Sequence, residues 1–226
     1  MKVLTSGHQV LTSAKLLGFT QPVGIELPEL QTAQDLIAYC ARVSNPSNQM
    51  NKETGEKLIR YLVKHKHWSP LEMASATIEV TTTRDIARQF LRHRSFSFQE
   101  FSQRYADPRD MDDTFVVREA RLQDTKNRQN SIDTDNEYLK DRWEEEQLKV
   151  IEQSKRAYKW AIDNGIAKEQ ARSVLPEGNT VTRVYVNGTI RSWIHYIELR
   201  SENGTQKEHM ELAQACGQAI GKIFPM

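Results

Sequence analysis

Arg92-His93-Arg94 follows Phe90-Leu91 directly, placing two guanidiniums and an imidazole beside large apolar side chains. If the stretch is helical, successive side chains point about 100° apart, so the three cannot share one solvated face. With Phe90 and Leu91 anchoring one side in the core, at least one guanidinium lies near buried surface. That is costly unless an anion or a π-system meets it. Phosphate suits the role, because the planar guanidinium offers parallel donors to two oxygens. A solvated helix end whose cations complement the helix dipole accounts for these three residues equally well. The following residues add Gln99, Glu100, Ser102, Gln103 and Arg104, spaced by Phe96, Phe98 and Phe101. Aromatic rings would hold such a segment to the core while donors and acceptors project from it. The composition suits a nucleotide: arginine for phosphate, serine and glutamine for base or sugar, glutamate for a hydroxyl or ring nitrogen. An ordinary aromatic-rich strand is the alternative.

Other candidates are scattered. Arg172 lies one turn before Pro176 and either meets a ligand or complements a helix end. Arg191 and His195 are four apart, share a helix face and can bracket one ligand, although a lone histidine is more often structural. Arg200 falls on roughly the opposite side of an ideal helix from Arg191. It joins the same site only if the helix ends or a second subunit approaches. His65 and His67 diverge on a helix and no cysteine or acidic cluster completes a zinc set, so no metal site is expected. Cys40 and Cys216 sit in apolar helix-like patterns and are expected as reduced core thiols.

The elements that must position these residues can be read from periodicity and punctuation. Thr32 with Asp35 resembles a helix N-cap ahead of the apolar stripe Leu36, Ile37, Cys40 and Val43, and Asn45-Pro46 stops that helix. A second helix is expected from about Lys52 to Lys66. Ser69-Pro70-Leu71-Glu72 has the form of a capping box. From Ala74 the period becomes two, with Ala76, Ile78 and Val80 alternating with polar residues, which predicts a half-buried strand. Thr83 is expected to cap a helix bearing Ile86, Ala87, Phe90 and Leu91 inward and Arg84, Arg88 and Arg92 in a stripe. A strand is expected near Arg104-Tyr105. The polar residues from Arg121 to Asn136 suggest a mobile surface loop. Helices are expected over about Tyr138–Asn164, closed by Gly165, and over Lys168–Leu175. A strand at Arg183–Val186 and an Asn187-Gly188 turn lead into helices at Thr189–Leu199 and Gln206–Ile223. The expected fold is α+β (mixed α/β): a single domain with a central, mainly antiparallel sheet flanked by helices.

At 226 residues, 38% hydrophobic and 27% charged, the chain can bury a substantial core. Its apolar runs are too short for a membrane span, and the first residues lack a signal-peptide pattern. A net charge of +1 disfavours a nucleic-acid surface built from the Arg84/Arg88/Arg92 stripe, while leaving room for one small anionic ligand.

Arg92-His93-Arg94, seven intervening residues and then Ser102, with Arg104 beyond, resembles the signature of flavin-dependent thymidylate synthases. Further blocks are similar in the same order: Ala41–Ser44, His65–Glu72, Ala171–Pro176 and Asn187–Arg200. The resemblance implies reductive methylation of dUMP to dTMP, with methylene-tetrahydrofolate as carbon donor and NADPH as reductant through bound FAD. It implies a homotetramer with shared active sites, no nucleic-acid partner and no membrane, in a bacterial cytosol, or a host cytosol if a virus encodes the chain. For FAD it implies Ser69, Arg92, His93, Arg94, Glu100, Thr189, Ile190, Arg191 and His195. For dUMP it implies Gln89, Phe90, Leu91, Arg92, Glu100, Phe101, Ser102, Gln103, Arg104, Arg172 and Arg200. Arg200 matches the position that stabilises the ionised pyrimidine.

Methylating a uracil ring requires electron density at the attacking carbon. A cysteine adding to the ring is one route, but neither Cys40 nor Cys216 has the cationic or basic neighbours that lower a thiol pKa. The alternative is a fixed cation that stabilises negative charge on the ring while reduced flavin supplies hydride. Arg200 is the candidate, since arginine keeps its charge at every working pH. Ser102 lacks a histidine placed to activate it and is expected to donate a hydrogen bond to the nucleotide.

Overall fold

In the computed structural model, which describes residues 1, 3–4, 12–23, 30–110 and 114–225, the alternation from Ala74 onward is realised at the centre of a sheet. In chain order the elements are β1 (Val3–Leu4), β2 (Ser13–Phe19), α1 (Ala33–Ala41), α2 (Gly55–Lys64), β3 (Ser75–Thr83), α3 (Arg84–Phe90) and β4 (Ser97–Glu100). There follow β5 (Phe115–Val116), β6 (Arg121–Gln123), β7 (Ser131–Asp133), α4 (Glu137–Asp163), α5 (Lys168–Ala171), β8 (Val181–Thr189), α6 (Ile190–Ser201) and α7 (Lys207–Gly221).

The main sheet has the order β2-β3-β8-β4, every neighbour antiparallel. On β3, Ala76, Ile78 and Val80 are fully buried, and they meet Val184 and Val186 of β8 in one core. Polar Thr77, Glu79 and Thr81 occupy the opposite, half-buried face, as a period of two requires. Helices α6 and α7 pack on each other and supply Ile190, Trp193, Tyr196, Leu212 and Cys216 to that core. A smaller cluster, including Phe115, Ile151, Tyr158 and Leu175, forms under α4. The fold is mixed α/β, a mostly antiparallel sheet flanked by helices in a single domain.

Local chemistry explains where the elements agree with their sequence signals and where they differ. Thr32 and Asp35 form the reciprocal capping box of α1. Ser69–Glu72 does not: it is a single 3-10 turn with Trp68 at its N-cap and no side-chain cap, because Pro70 and the short span leave no helix to cap. Arg92-His93-Arg94 is not helical. α3 ends at Phe90, and the bonds from Arg92 N to Gln89 O (3.4 Å) and His93 N to Phe90 O (2.9 Å) wind the chain into tight turns. The strand expected near Arg104 lies earlier, at Ser97–Glu100, and residues 103–105 turn instead.

Asn187-Gly188 is not a turn, since both residues pair with β3 as Asn187↔Thr77 and Gly188↔Ala76. The glycine answers to a different need. A Cβ on Gly188 would stand 2.2 Å from Cδ1 and 2.4 Å from Cε1 of Phe96, whose ring closely approaches the strand there. The polar 121–136 stretch remains on the surface but contains the β6–β7 hairpin, in register Arg121↔Asp133 and Leu122↔Ile132. Asp124 organises its loop by accepting from Lys126 N (2.7 Å), Asn127 N (3.1 Å) and Asn130 Nδ2 (2.9 Å). Among the described residues no helix is long and apolar enough to cross a membrane, and no cluster of three or more His, Cys, Asp or Glu could hold a metal ion.

Candidate active site

Phe90 positions the arginine-histidine turn. Its ring is buried, stacks on Tyr196 of α6 at 4.4 Å and meets Phe96 and Phe98 edge-on. Anchoring Phe90 and Phe96 on either side sends the intervening turn outward. Arg92 and Arg94 are exposed, and neither side chain has a hydrogen bond or ion pair among the described residues. The side chain that turns inward is His93, not a guanidinium, so the burial conflict foreseen for the arginines is resolved by the imidazole.

His93 is half-buried and edge-on to Tyr196 at 5.0 Å. Its Nε2 accepts a hydrogen bond from Arg200 Nε at 3.0 Å, from the last turn of α6. Burial first, and then the charges of Arg200 and Arg92, push the His93 pKa down to about 4. The ring is therefore neutral near neutrality. Because Nε2 accepts, the proton sits on Nδ1. Arg200 thus reaches the turn within the same chain, with α6 continuing to Ser201. Arg191 is at the other end of that helix, roughly 13 Å away along the axis at about 1.5 Å per residue.

Behind the turn lies a polar chain that sequence reading did not foresee. Gln89 Nε2 donates to Gln206 Oε1 (2.8 Å), and Gln206 Nε2 donates to Glu208 Oε2 (3.0 Å). Glu208 is paired with Arg118 (3.1 Å) and Arg121 (2.5 Å). On the other side, Gln89 Oε1 is 3.2 Å from Nδ1 of the fully buried His209. The one signal available was a histidine on the apolar stripe that continues through Leu212, Ala213 and Cys216.

The start of α3 is organised differently. Arg84 lies 3.1 Å from Glu100 and 3.5 Å from Glu177, as ion pairs and not aligned hydrogen bonds. Arg88 forks onto Glu177, with Nη2 to Oε1 at 2.8 Å and a second, shorter contact through Nε. Glu100 also accepts from Thr182 Oγ1 at 3.0 Å. Two arginines of the expected basic stripe are consequently spent on carboxylates.

Three further groups complete the placement. Phe101 N bonds Arg183 O (2.9 Å), after which Ser102 O accepts from Tyr105 N and Ala106 N, closing a turn. In that turn Gln103 is buried with its Nε2 unpartnered, and Arg104 reaches Glu169 at 3.4 Å. Arg172 Nε donates to Glu169 O at 3.3 Å, so Arg104 and Arg172 share one neighbourhood. Separately, Arg191 pairs with Glu72, and His195 packs edge-on to Trp68 at 4.3 Å, beside Ser69. Thr189 caps α6 through Ser192 N, while buried Ile190 gives its N–H to Ala74 O. Leu91 is the C-cap of α3. The structure joins His93 and Arg200 directly, and brings Gln89 to them through His209, whose ring lies 6.3 Å from that of His93. The Ser102–Arg172 group and the Ser69–His195 group stand apart, with no hydrogen bond, ion pair or ring contact joining them to that trio among the described residues.

The family model described as thymidylate synthase complementing protein matches residues 27–226. A probable flavin-dependent thymidylate synthase of Paramecium bursaria Chlorella virus 1 is 53% identical over 213 residues, covering 94% of this chain and 95% of the relative. A flavin-dependent thymidylate synthase of Synechocystis sp. is 47% identical over 211 residues, covering 93% and 95%. The fold is similar to that of a UMP/dUMP methylase, PolB, from Streptomyces cacaoi bound with 5-Br dUMP, at a TM-score of 0.78 and 24% identity, over 99% of this chain and 93% of that one. With the match running from residue 27 to the C-terminus, and relatives of comparable length at 53% and 47% identity, the chain belongs to the flavin-dependent thymidylate synthase family.

Proposed function

We propose that the protein makes dTMP from dUMP, with methylene-tetrahydrofolate as carbon donor, NADPH as reductant and FAD as the bound flavin. The observation that carries this reading is the 3.0 Å bond between Arg200 and a neutral His93, which joins the candidate pyrimidine cation to the Arg92-His93-Arg94 turn.

The residues present fit a dinucleotide flavin. Arg92 and Arg94 offer two open guanidinium forks suited to a diphosphate. The Nδ1–H of His93 is a further donor, since its other nitrogen is occupied. When bound, reduced flavin supplies a hydride to the pyrimidine. The chain's own residues do the rest. Arg200 stabilises negative charge on the ring without titrating, and its imidazole partner brings no opposing charge. Arg104, Arg172 and the unpartnered Gln103 amide provide donors for the nucleotide, and Ser102 adds a hydroxyl. The thiols supply no nucleophile: burial pushes both Cys216 and Cys40 above the ordinary thiol value.

Arg191, paired with Glu72, lies in the first turn of α6 and Arg200 in its last, with His195 midway between them against Trp68, beside Ser69. That separation supports a working site assembled from neighbouring subunits of a homotetramer. The decisive measurement is the visible absorbance of the purified protein. A flavin spectrum that bleaches with NADPH, then returns when dUMP and methylene-tetrahydrofolate are added together, is the expected result. A colourless protein that cannot be reconstituted with FAD would sink the proposal.

A further inference from the structure

Side-chain amides and imidazoles can usually be turned either way, but the chain behind Gln89 begins at a group that cannot. Glu208 is mostly buried; burial alone would raise its pKa, yet Arg118 and Arg121 hold the carboxyl below its ordinary value. As a carboxylate it can only accept. Gln206 must therefore turn its NH2 toward Glu208, which leaves Gln206 Oε1 facing Gln89. Gln89 must turn its own NH2 to that oxygen, which leaves Gln89 Oε1 facing His209. An acceptor opposite Nδ1 requires a proton there, so His209 is the Nδ1–H tautomer with a bare, buried and unpartnered Nε2. Protonating that nitrogen would set a second cation near Arg200, and burial with that charge holds the His209 pKa down to about 3.

We propose that Glu208, Gln206 and His209 are positioning residues that fix Gln89 as a hydrogen-bond donor to an acceptor oxygen of the pyrimidine nucleotide. One N–H of Gln89 is committed to Gln206 and its oxygen to His209, so the second N–H is the group left for the ligand. A clamped amide avoids the loss of orientational freedom that a free glutamine would suffer on binding. The inference rests on the proposed function in one respect: that Gln89 faces dUMP.

The test uses the full-length flavin-loaded protein and two kinds of readout. Gln206→Ala should raise the KM for dUMP by about tenfold, with kcat within about twofold and FAD content unchanged. Glu208→Gln, which lets both amides flip, should raise KM by about threefold. His209→Asn, whose Nδ2–H can stand in for Nδ1–H, should keep a KM nearer the wild type than His209→Ala does, even if both lower Tm. Ring-nitrogen chemical shifts of ligand-free wild-type protein should show His209 as Nδ1–H. An Nε2–H tautomer overturns the relay whatever the substrate. An unchanged dUMP KM in Gln206→Ala overturns it too, as does His209→Asn losing nucleotide affinity as fully as His209→Ala. Wild-type protein that shows the Nδ1–H tautomer but binds no dUMP sinks the substrate reading instead.

Discussion

The two ends of α3 carry the same kind of residue in opposite settings. At its start, Arg84 and Arg88 face Glu100 and Glu177, and the Arg88 hydrogen bond holds the Glu177 carboxyl below its ordinary value. Beyond its last turn, Arg92 and Arg94 have open guanidiniums, and Arg200 bonds an imidazole that carries no charge. Residue type and spacing do not separate a paired arginine from an open one. What separates them is whether the fold supplies a carboxylate.

That contrast can be broken most severely by removing the cation whose partner is neutral. Arg200→Ala should lower kcat by about 10²–10³-fold, the usual cost of losing one preorganised charge stabiliser. Its Tm should stay near wild type, because no ion pair is lost. Equal loss of folding and activity would instead make Arg200 a structural arginine like Arg84.

The neutral imidazoles behind the open end set the next effect. His93 and His209, at about 4 and about 3, lie below the ordinary value of 6.5, so between those limits the unfolded chain binds more protons than the folded one. Stability should be full above about pH 6.5 and fall as the pH drops through 4 toward 3, by an amount on the order of a few kcal/mol. Denaturant titrations across that range test this, and a His209→Asn variant should lose part of the slope.

Smaller still is the cost of unseating the ring that anchors the turn. Gly188→Ala forces Phe96 off β8 and should destabilise by roughly 1–3 kcal/mol, as overpacking does. Flavin content after purification should fall with it, and normal flavin retention would show that the turn does not depend on Phe96. The slightest effect is expected at the paired end. Glu177→Gln should cost less than about 1 kcal/mol, because its side chain and that of Arg88 are largely exposed. The variant should gain a small, salt-sensitive retention on heparin, having opened Arg88 while Arg84 keeps its pair with Glu100.

Much of the scaffold was legible in local pattern. The period of two placed β3, and Thr32 with Asp35 marked the start of α1, because neighbours in sequence decide both. The arginine-histidine stretch stood out in sequence as a candidate ligand-holding segment, but its turn was not legible there. The pull of Phe90 and Phe96 into one core, which ends α3 early, is a tertiary effect. Pairings between distant residues left no trace. Glu177 is 89 positions from Arg88, and Arg200 is 107 from His93, so nothing local distinguishes the spent arginines from the open ones. His209 and Gln206 were overlooked for a related reason, since each acts only through Gln89 on another helix.

The bond from Arg200 to an uncharged ring has a thermodynamic consequence for the whole molecule. A carboxylate partner would have balanced the charge at synthesis, whereas here the apo protein carries an unbalanced positive field at this corner. An anion bound there would balance that charge. Ligand occupancy and resistance to unfolding are then linked quantities, rising together with ligand concentration by mass action. The folded population in a cell would accordingly track the supply of the nucleotides it uses.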